Sequence, residues 1–328
     1  MLSIFRTNQL PTGFLYIVYL VVLRLPGYIF PDLRVKSTYV GGYFANVVES
    51  WFGNNYWALE IFILALLVFQ AFLINIMVQE HRITREVTLY PGLFYLLVVN
   101  SVPAFFQATG PLIANTFIIY ALWQMMAIYR KPACADSIFN IGLAIGIGSL
   151  FYLSIVSLVI WGLLGLTTLR AFKIKEFLIL ISGVITPYIL VFTWMFWTDQ
   201  SAVLFQNHFG DHFGFNGIPY VETLMDYWVN ALMLILVLTV LLSGRVYMMK
   251  QNIPIQKKIS IVQWSLLFLI LSFIIQMNFE WEHWIIAGVP FGIFVSMNFY
   301  HLKRGVAESL HMVWFVIILF LQFLPLLA

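Results

Sequence analysis

Charge is what this sequence has least of. Only 9% of its 328 residues are Asp, Glu, Lys or Arg, against about 25% in a soluble domain. That excludes a soluble globular chain of ordinary composition, and no polar stretch is long enough for a separate soluble domain. There is one cysteine, Cys134, so no internal disulfide can form. The net charge of +3 implies no nucleic-acid partner, because the basic residues sit in short loops between apolar runs. No small-residue cleavage motif follows the first apolar run, which is therefore expected to be an uncleaved helix. Internal repeats and low-complexity linkers are also missing. Without an inverted repeat or matched Gly/Pro-broken helices, a small-solute transporter is disfavoured.

What is present is apolar: 62% of the residues are hydrophobic. Ser137–Leu169 runs for 33 residues without a charged side chain. One membrane crossing takes about 20 residues, and in lipid each span must close its own backbone hydrogen bonds as a helix. The stretch is too long for one crossing and fits two tight helices joined near Tyr152–Ser154. Gly142, Gly146 and Gly148 recur in the first of these at roughly helical spacing, which predicts close helix packing rather than substrate contact.

Extended along the chain, the same reading gives an all-α, polytopic transmembrane bundle of about 11 helices in a single membrane domain, 1–328. The spans are expected at about 10–30, 57–78, 90–106, 112–129, the two halves of the hairpin, 176–197, 223–244, 260–279, 285–301 and 309–327. A semi-apolar segment ending at Tyr56 carries Trp51, Phe52 and Tyr56, with Trp57 next, as at a water–lipid interface. The longest polar loop is 198–222. With the N-terminus in the cytoplasm, 14 of the 17 Lys and Arg residues fall in cytoplasmic loops. The exceptions, Arg24, Arg34 and Lys36, cluster at the outer end of the first helix. Removing one helix from the hairpin would invert every later loop and spoil this asymmetry, so the C-terminus is placed outside.

Candidate chemistry lies almost entirely on the outer face. Asp32, in FPDLR, is a candidate general base or metal ligand; its plainer role is a solvated carboxylate paired with Arg34. In NHFGDHF, a helical turn would put His208 and His212 on one face beside Asp211, a donor set suited to a divalent metal ion. The same residues also suit an interfacial loop whose phenylalanines dip into lipid. Glu280, Glu282 and His283 stand in the turn EWEHW, which Trp281 and Trp284 mark as interfacial, with His283 a further candidate metal ligand. Arg24, Glu60 and Asp226 are charged residues inside or at the ends of spans, where burial is expensive. Facing one outward cavity they would form a site for a charged lipid headgroup; facing the rim they would have no such role.

Two resemblances attach to these residues. The motifs IFN-G at Ile138–Gly142, LFY at Leu150–Tyr152, LR-F-x-x-x-E at Leu169–Glu176 and G-x-x-x-P-Y at Gly183–Tyr188 resemble a multi-pass inner-membrane family of Bacteroidota. That family has no established activity and implies a bacterial inner-membrane location. Its members are sometimes labelled carotenoid oxygenases, which are soluble β-propellers holding iron with four histidines. Here three of the six histidines fall on each side of the membrane, so the label is rejected. The chain is more loosely similar to polytopic glycosyltransferases that use polyprenyl-phosphate sugars, in its inside N-terminus, tight helix pairs and first outer loop bearing an Asp. That similarity implies Asp32 as the catalytic position, with Arg34 and Lys36 in place of the usual second acidic residue. It also implies membrane lipids and a polyprenyl-phosphate-linked substrate as partners. The alternative is a non-enzymatic scaffold or assembly component of an envelope machine.

Overall fold

The computed structural model describes residues 2–6, 10–31, 42–53, 55–84, 86–210, 214, 224–249, 251–276 and 280–323. Its longer helices are α1 (Leu10–Leu23), α2 (Tyr43–Phe52), α3 (Tyr56–Glu80), α4 (Tyr90–Val99), α5 (Thr109–Ala127), α6 (Ala135–Phe151), α7 (Leu158–Leu169), α8 (Ile174–Trp197), α9 (Leu224–Met248), α10 (Ile253–Leu271), α11 (Gly288–His301) and α12 (Arg304–Leu321). The described residues contain no β-strand. Every expected span holds one of these helices, and the hairpin breaks at Tyr152 as anticipated. The chain is thus an integral, multi-pass helical membrane protein.

Six helical segments are long and apolar enough to cross a membrane unaided: Tyr56–Glu80, Ile174–Trp197, Leu224–Gly244, Ile253–Ile275, Trp281–His301 and Arg304–Leu321. The others are shorter or broken, and burial explains why that is tolerated. All ten residues of α4 are buried, as is most of α11. Their interrupted ends meet protein instead of lipid, so freed backbone groups can find partners there. In contrast, α8 buries only Leu180, Gly183, Pro187 and Met195 along 24 residues, and turns the rest of its length outward.

The glycines do what their spacing predicts. A Cβ on Gly146 would lie 2.5 Å from the Val184 carbonyl oxygen, and one on Gly142 or Gly183 would run into the facing backbone of Leu180 or Phe139. Only hydrogen allows α6 and α8 to approach this closely. Gly148 faces the Phe117 side chain instead.

The ends of the bundle sort by charge. At one end Arg6 pairs with Glu86, the Ser3 backbone N–H donates to Glu308, Arg170 donates to the Lys131 carbonyl, Lys257 donates to the Thr168 carbonyl, and Lys258 meets His81. All six basic loops are represented in or beside these contacts; Lys257 and Lys258, near the start of α10, reach across to the C-terminal ends of α7 and α3, where the dipole favours a cation. At the other end Arg24 meets Glu60, Tyr152 meets His283, and Gln322 donates to the Leu23 carbonyl. The alternation read from charge therefore matches the order in which helix ends meet.

One element was not expected. The semi-apolar segment before Tyr56 contains α2, which buries Ala45 and Val48 against α5 and α6 while Trp51 stays 75% exposed. It is an amphipathic helix lying on the outer end, too short and too polar on one side to read as a span.

Candidate functional site

Two polar clusters occupy the outer end. The first forms where α1 stops. Pro26 starts a new short helix, Leu25–Ile29, and Arg24 stands at the join with its side chain turned inward and 1% exposed. Its Nη1 donates to Glu60 Oε1 at 2.8 Å and to the Phe106 carbonyl at 3.2 Å, and its Nε donates to Asn100 Oδ1 at 2.8 Å. The guanidinium lies 4.5 Å from the centre of the Phe106 ring. Glu60, 2% exposed, also accepts from the Tyr28 hydroxyl at 2.6 Å. This knot ties the end of α1 to the start of α3, and so clamps both ends of the first outer loop. Among the described residues Arg24 Nη2 is buried with no acceptor. Glu49 of α2, in the same loop, accepts from the Thr109 hydroxyl.

The second cluster gathers on Tyr152, at the break between α6 and α7. Its hydroxyl donates to His283 Nδ1 at 2.7 Å. His283 Nε2 lies 3.2 Å from the Leu269 carbonyl, which can only accept, so this nitrogen carries the ring proton. The Gln276 and Ser154 side chains also act on the Tyr152 hydroxyl, and the charges of Glu280 and Glu282 lie within electrostatic reach of it. Gln276 Oε1 and Glu280 Oε2 are buried without a donor among the described residues. Burial, and then the neighbouring Glu282 charge, push the Glu280 carboxyl up to about 7. The two clusters are joined by Pro103–Gln107, which carries Phe106 and packs on the 3-10 turn Trp281–Ala287.

Of the residues singled out from sequence, Arg24 and Glu60 come together, with each other as principal partners. Asp226 lies in the first turn of α9, which packs on α10, α11 and the Trp281–Ala287 turn. His208 is buried in a π-helical turn, Gln206–Gly210, against the rings of Tyr188 and Phe209. His283 uses both ring nitrogens inside the protein, so this arrangement leaves neither to a metal ion. Asp32, Asp211 and His212 lie outside the described residues. Among the described residues no group of three His, Cys, Asp or Glu side chains is placed to hold a metal ion. Sequence reasoning missed Tyr28, Asn100, Tyr152 and Gln276. All four are uncharged polar residues near the ends of apolar helices, and that position was the available signal.

No protein-family model matches the chain, and no curated protein matches it. Among solved structures it is similar to ArnT from Cupriavidus metallidurans bound to undecaprenyl phosphate, with a TM-score of 0.50 and 12% identity over 88% of this chain. The match spans 60% of the length of that protein. At this identity the likeness is one of fold.

Proposed function

We propose that this chain acts at the outer leaflet of the bacterial inner membrane on a polyprenyl-phosphate-linked sugar or a related cell-envelope precursor, as a membrane glycosyltransferase. The observation that carries this reading is the ArnT-like fold, whose solved example holds undecaprenyl phosphate. The knot at the first outer loop supports it. Among the described residues Arg24 Nη2 is buried with no acceptor, at the foot of the loop that contains Asp32, and such a donor suits a phosphate oxygen. On this reading Arg24 and Glu60 organise the phosphate side of the site, and Asp32 is the general base or ligates a divalent ion. Asp226, His208, Asp211, His212 and His283 would be supporting groups. From the Ile138–Tyr188 motifs we also infer kinship with the Bacteroidota inner-membrane family they resemble.

The test uses the full chain in lipid nanodiscs. Undecaprenyl phosphate is expected to bind more tightly than phosphatidylglycerol, as seen by native mass spectrometry. Asp32→Asn is expected to keep that binding and the expression level while abolishing sugar transfer from undecaprenyl-phosphate glucose. Equal retention of both lipids, or transfer unaffected by Asp32→Asn, would overturn the reading and leave a scaffold role.

A further inference from the structure

We propose that the basic end of the groove between α7 and α10 binds the phosphate of an anionic phospholipid, whose acyl chains lie along the same two helices. This is independent of sugar transfer and concerns the leaflet opposite the outer clusters. Hydrogen bonds build the groove. Ser157 donates to the Phe268 carbonyl at 3.3 Å, the Trp161 indole to the Ile261 carbonyl at 2.9 Å, and Lys257 Nζ to the Thr168 carbonyl at 2.8 Å. Positions rise along α7 as they fall along α10, so the two helices run antiparallel, side by side. Lys257 therefore closes the groove where α7 ends.

Cations collect there without carboxylates to answer them. Lys257 Nζ lies 5.7 Å from the centre of the Tyr129 ring, and Arg130 Cζ lies 5.3 Å from the same centre. One ring thus gathers both charges. Lys258, next in the chain, lies 3.3 Å from His81 Nδ1. An ammonium can only donate, so that nitrogen accepts; His81 Nε2 faces the Trp123 carbonyl and carries the ring proton. The imidazole is neutral and cancels no charge, and the helix ends that the two lysines reach carry only a partial one. Among the described residues Arg130, Lys257 and Lys258 form no ion pair. The neighbouring carboxylates are engaged, Glu176 by Arg170 and Lys173, and Glu80 by the Trp123 indole. A basic pocket between helices at the cytoplasmic end suits a lipid phosphate.

What lies beyond the cations selects a lipid over a soluble anion. Trp264 and Leu271 follow Lys257 at intervals of seven, on the face of α10 that carries it, and both are exposed. Leu164 and Ile160 precede Thr168 at intervals of four on α7, and both are exposed as well. An apolar strip therefore runs from the cations into the span on both walls of the groove. In the loop after α7, exposed Phe172 and Ile174 alternate with Lys173 and Lys175, a pattern suited to the headgroup layer. A phosphate that carries acyl chains matches both the cations and the strip, whereas inorganic phosphate matches the cations alone.

The deciding experiment is native mass spectrometry of the full chain from detergent micelles containing cardiolipin or phosphatidylcholine. Each engaged cation is expected to contribute about fivefold, so cardiolipin should be retained over phosphatidylcholine by about tenfold or more. Equal retention of the two would overturn the site. Lys257→Gln should reduce the preference about fivefold, and Arg130→Gln with Lys257→Gln should abolish it, while Lys257→Arg keeps it. Lys303→Gln with Arg304→Gln removes as much charge from another basic loop and should leave the preference unchanged; an equal loss there would mean bulk attraction and overturn the site. A phosphatidylglycerol with a diazirine on one acyl chain should label α7 and α10, and labelling spread evenly over the lipid-facing helices would count against the groove. Displacement of cardiolipin by inorganic phosphate would assign the cations to a soluble anion and overturn the lipid.

Discussion

The Arg24 knot and the Tyr152 cluster sit at the same end of the bundle, but they solve the problem of burying polarity differently. In the knot a full charge is taken out of water, and nearly every atom is answered: two carbonyl-type acceptors, a carboxylate and an aromatic face surround one guanidinium. Around Tyr152, among the described residues, no opposite charge acts on the hydroxyl beside the two carboxylates, and Gln276 Oε1 and Glu280 Oε2 lack a donor. The difference teaches where to look for a ligand. A charge pair that largely neutralises itself fixes helices in place and keeps one donor in reserve, whereas a cluster of like polarity leaves acceptors whose burial is costly.

The comparison can be broken most forcefully at the knot. Arg24→Leu or Glu60→Leu leaves an unpaired buried charge and should cost about 3–5 kcal/mol, seen as a loss of folded protein on detergent extraction and in thermal scans. The double variant Arg24→Met with Glu60→Leu removes both charges and should lose less than either single change. If the singles are as stable as wild type, the pair is not the clamp described.

A smaller effect is expected at Tyr152. Tyr152→Phe keeps the ring but leaves His283 Nδ1 without its donor, which should cost about 1–3 kcal/mol in the same scans. An unchanged unfolding temperature would mean that the Tyr152–His283 bond is not holding the break between α6 and α7.

The smallest effect depends on pH and sharpens the contrast. Below its ordinary value of 4.5 the Glu280 carboxyl is protonated in both folded and unfolded chains and contributes nothing. As pH rises from there to about 7, the unfolded chain gives up its proton while the folded chain resists, so stability falls, and the loss is complete above about 7. Glu280→Gln should therefore raise the unfolding temperature at pH 8 and leave it unchanged at pH 4. A gain of equal size at both values would assign the effect to something other than ionisation.

Much of the fold was legible because membranes impose simple rules. An uncharged run of 33 residues had to make two helices, and the Lys and Arg residues had to collect at one end. Gly142 and Gly146 announced a close helix contact because no larger side chain fits one. The amphipathic α2 was obscured, since its apolar face is short and its tryptophan points outward. The candidate site was less legible. Arg24 and Glu60 stood out because charge is costly in lipid, but nothing in their spacing paired them with Asn100 and Phe106, which lie 76 and 82 positions downstream of Arg24. Tyr152 and His283 meet only when the hairpin break reaches the turn before α11, 131 positions along the chain.

The sequence by itself determined the solvent, the number of crossings and their alternation, because the apolar length and basic loops needed for these are local properties. Only the tertiary structure decided which polar groups neutralise each other and which stay open. Hydrogen-bond satisfaction depends on atoms brought within about 3 Å from distant helices, and no one-dimensional pattern records that meeting.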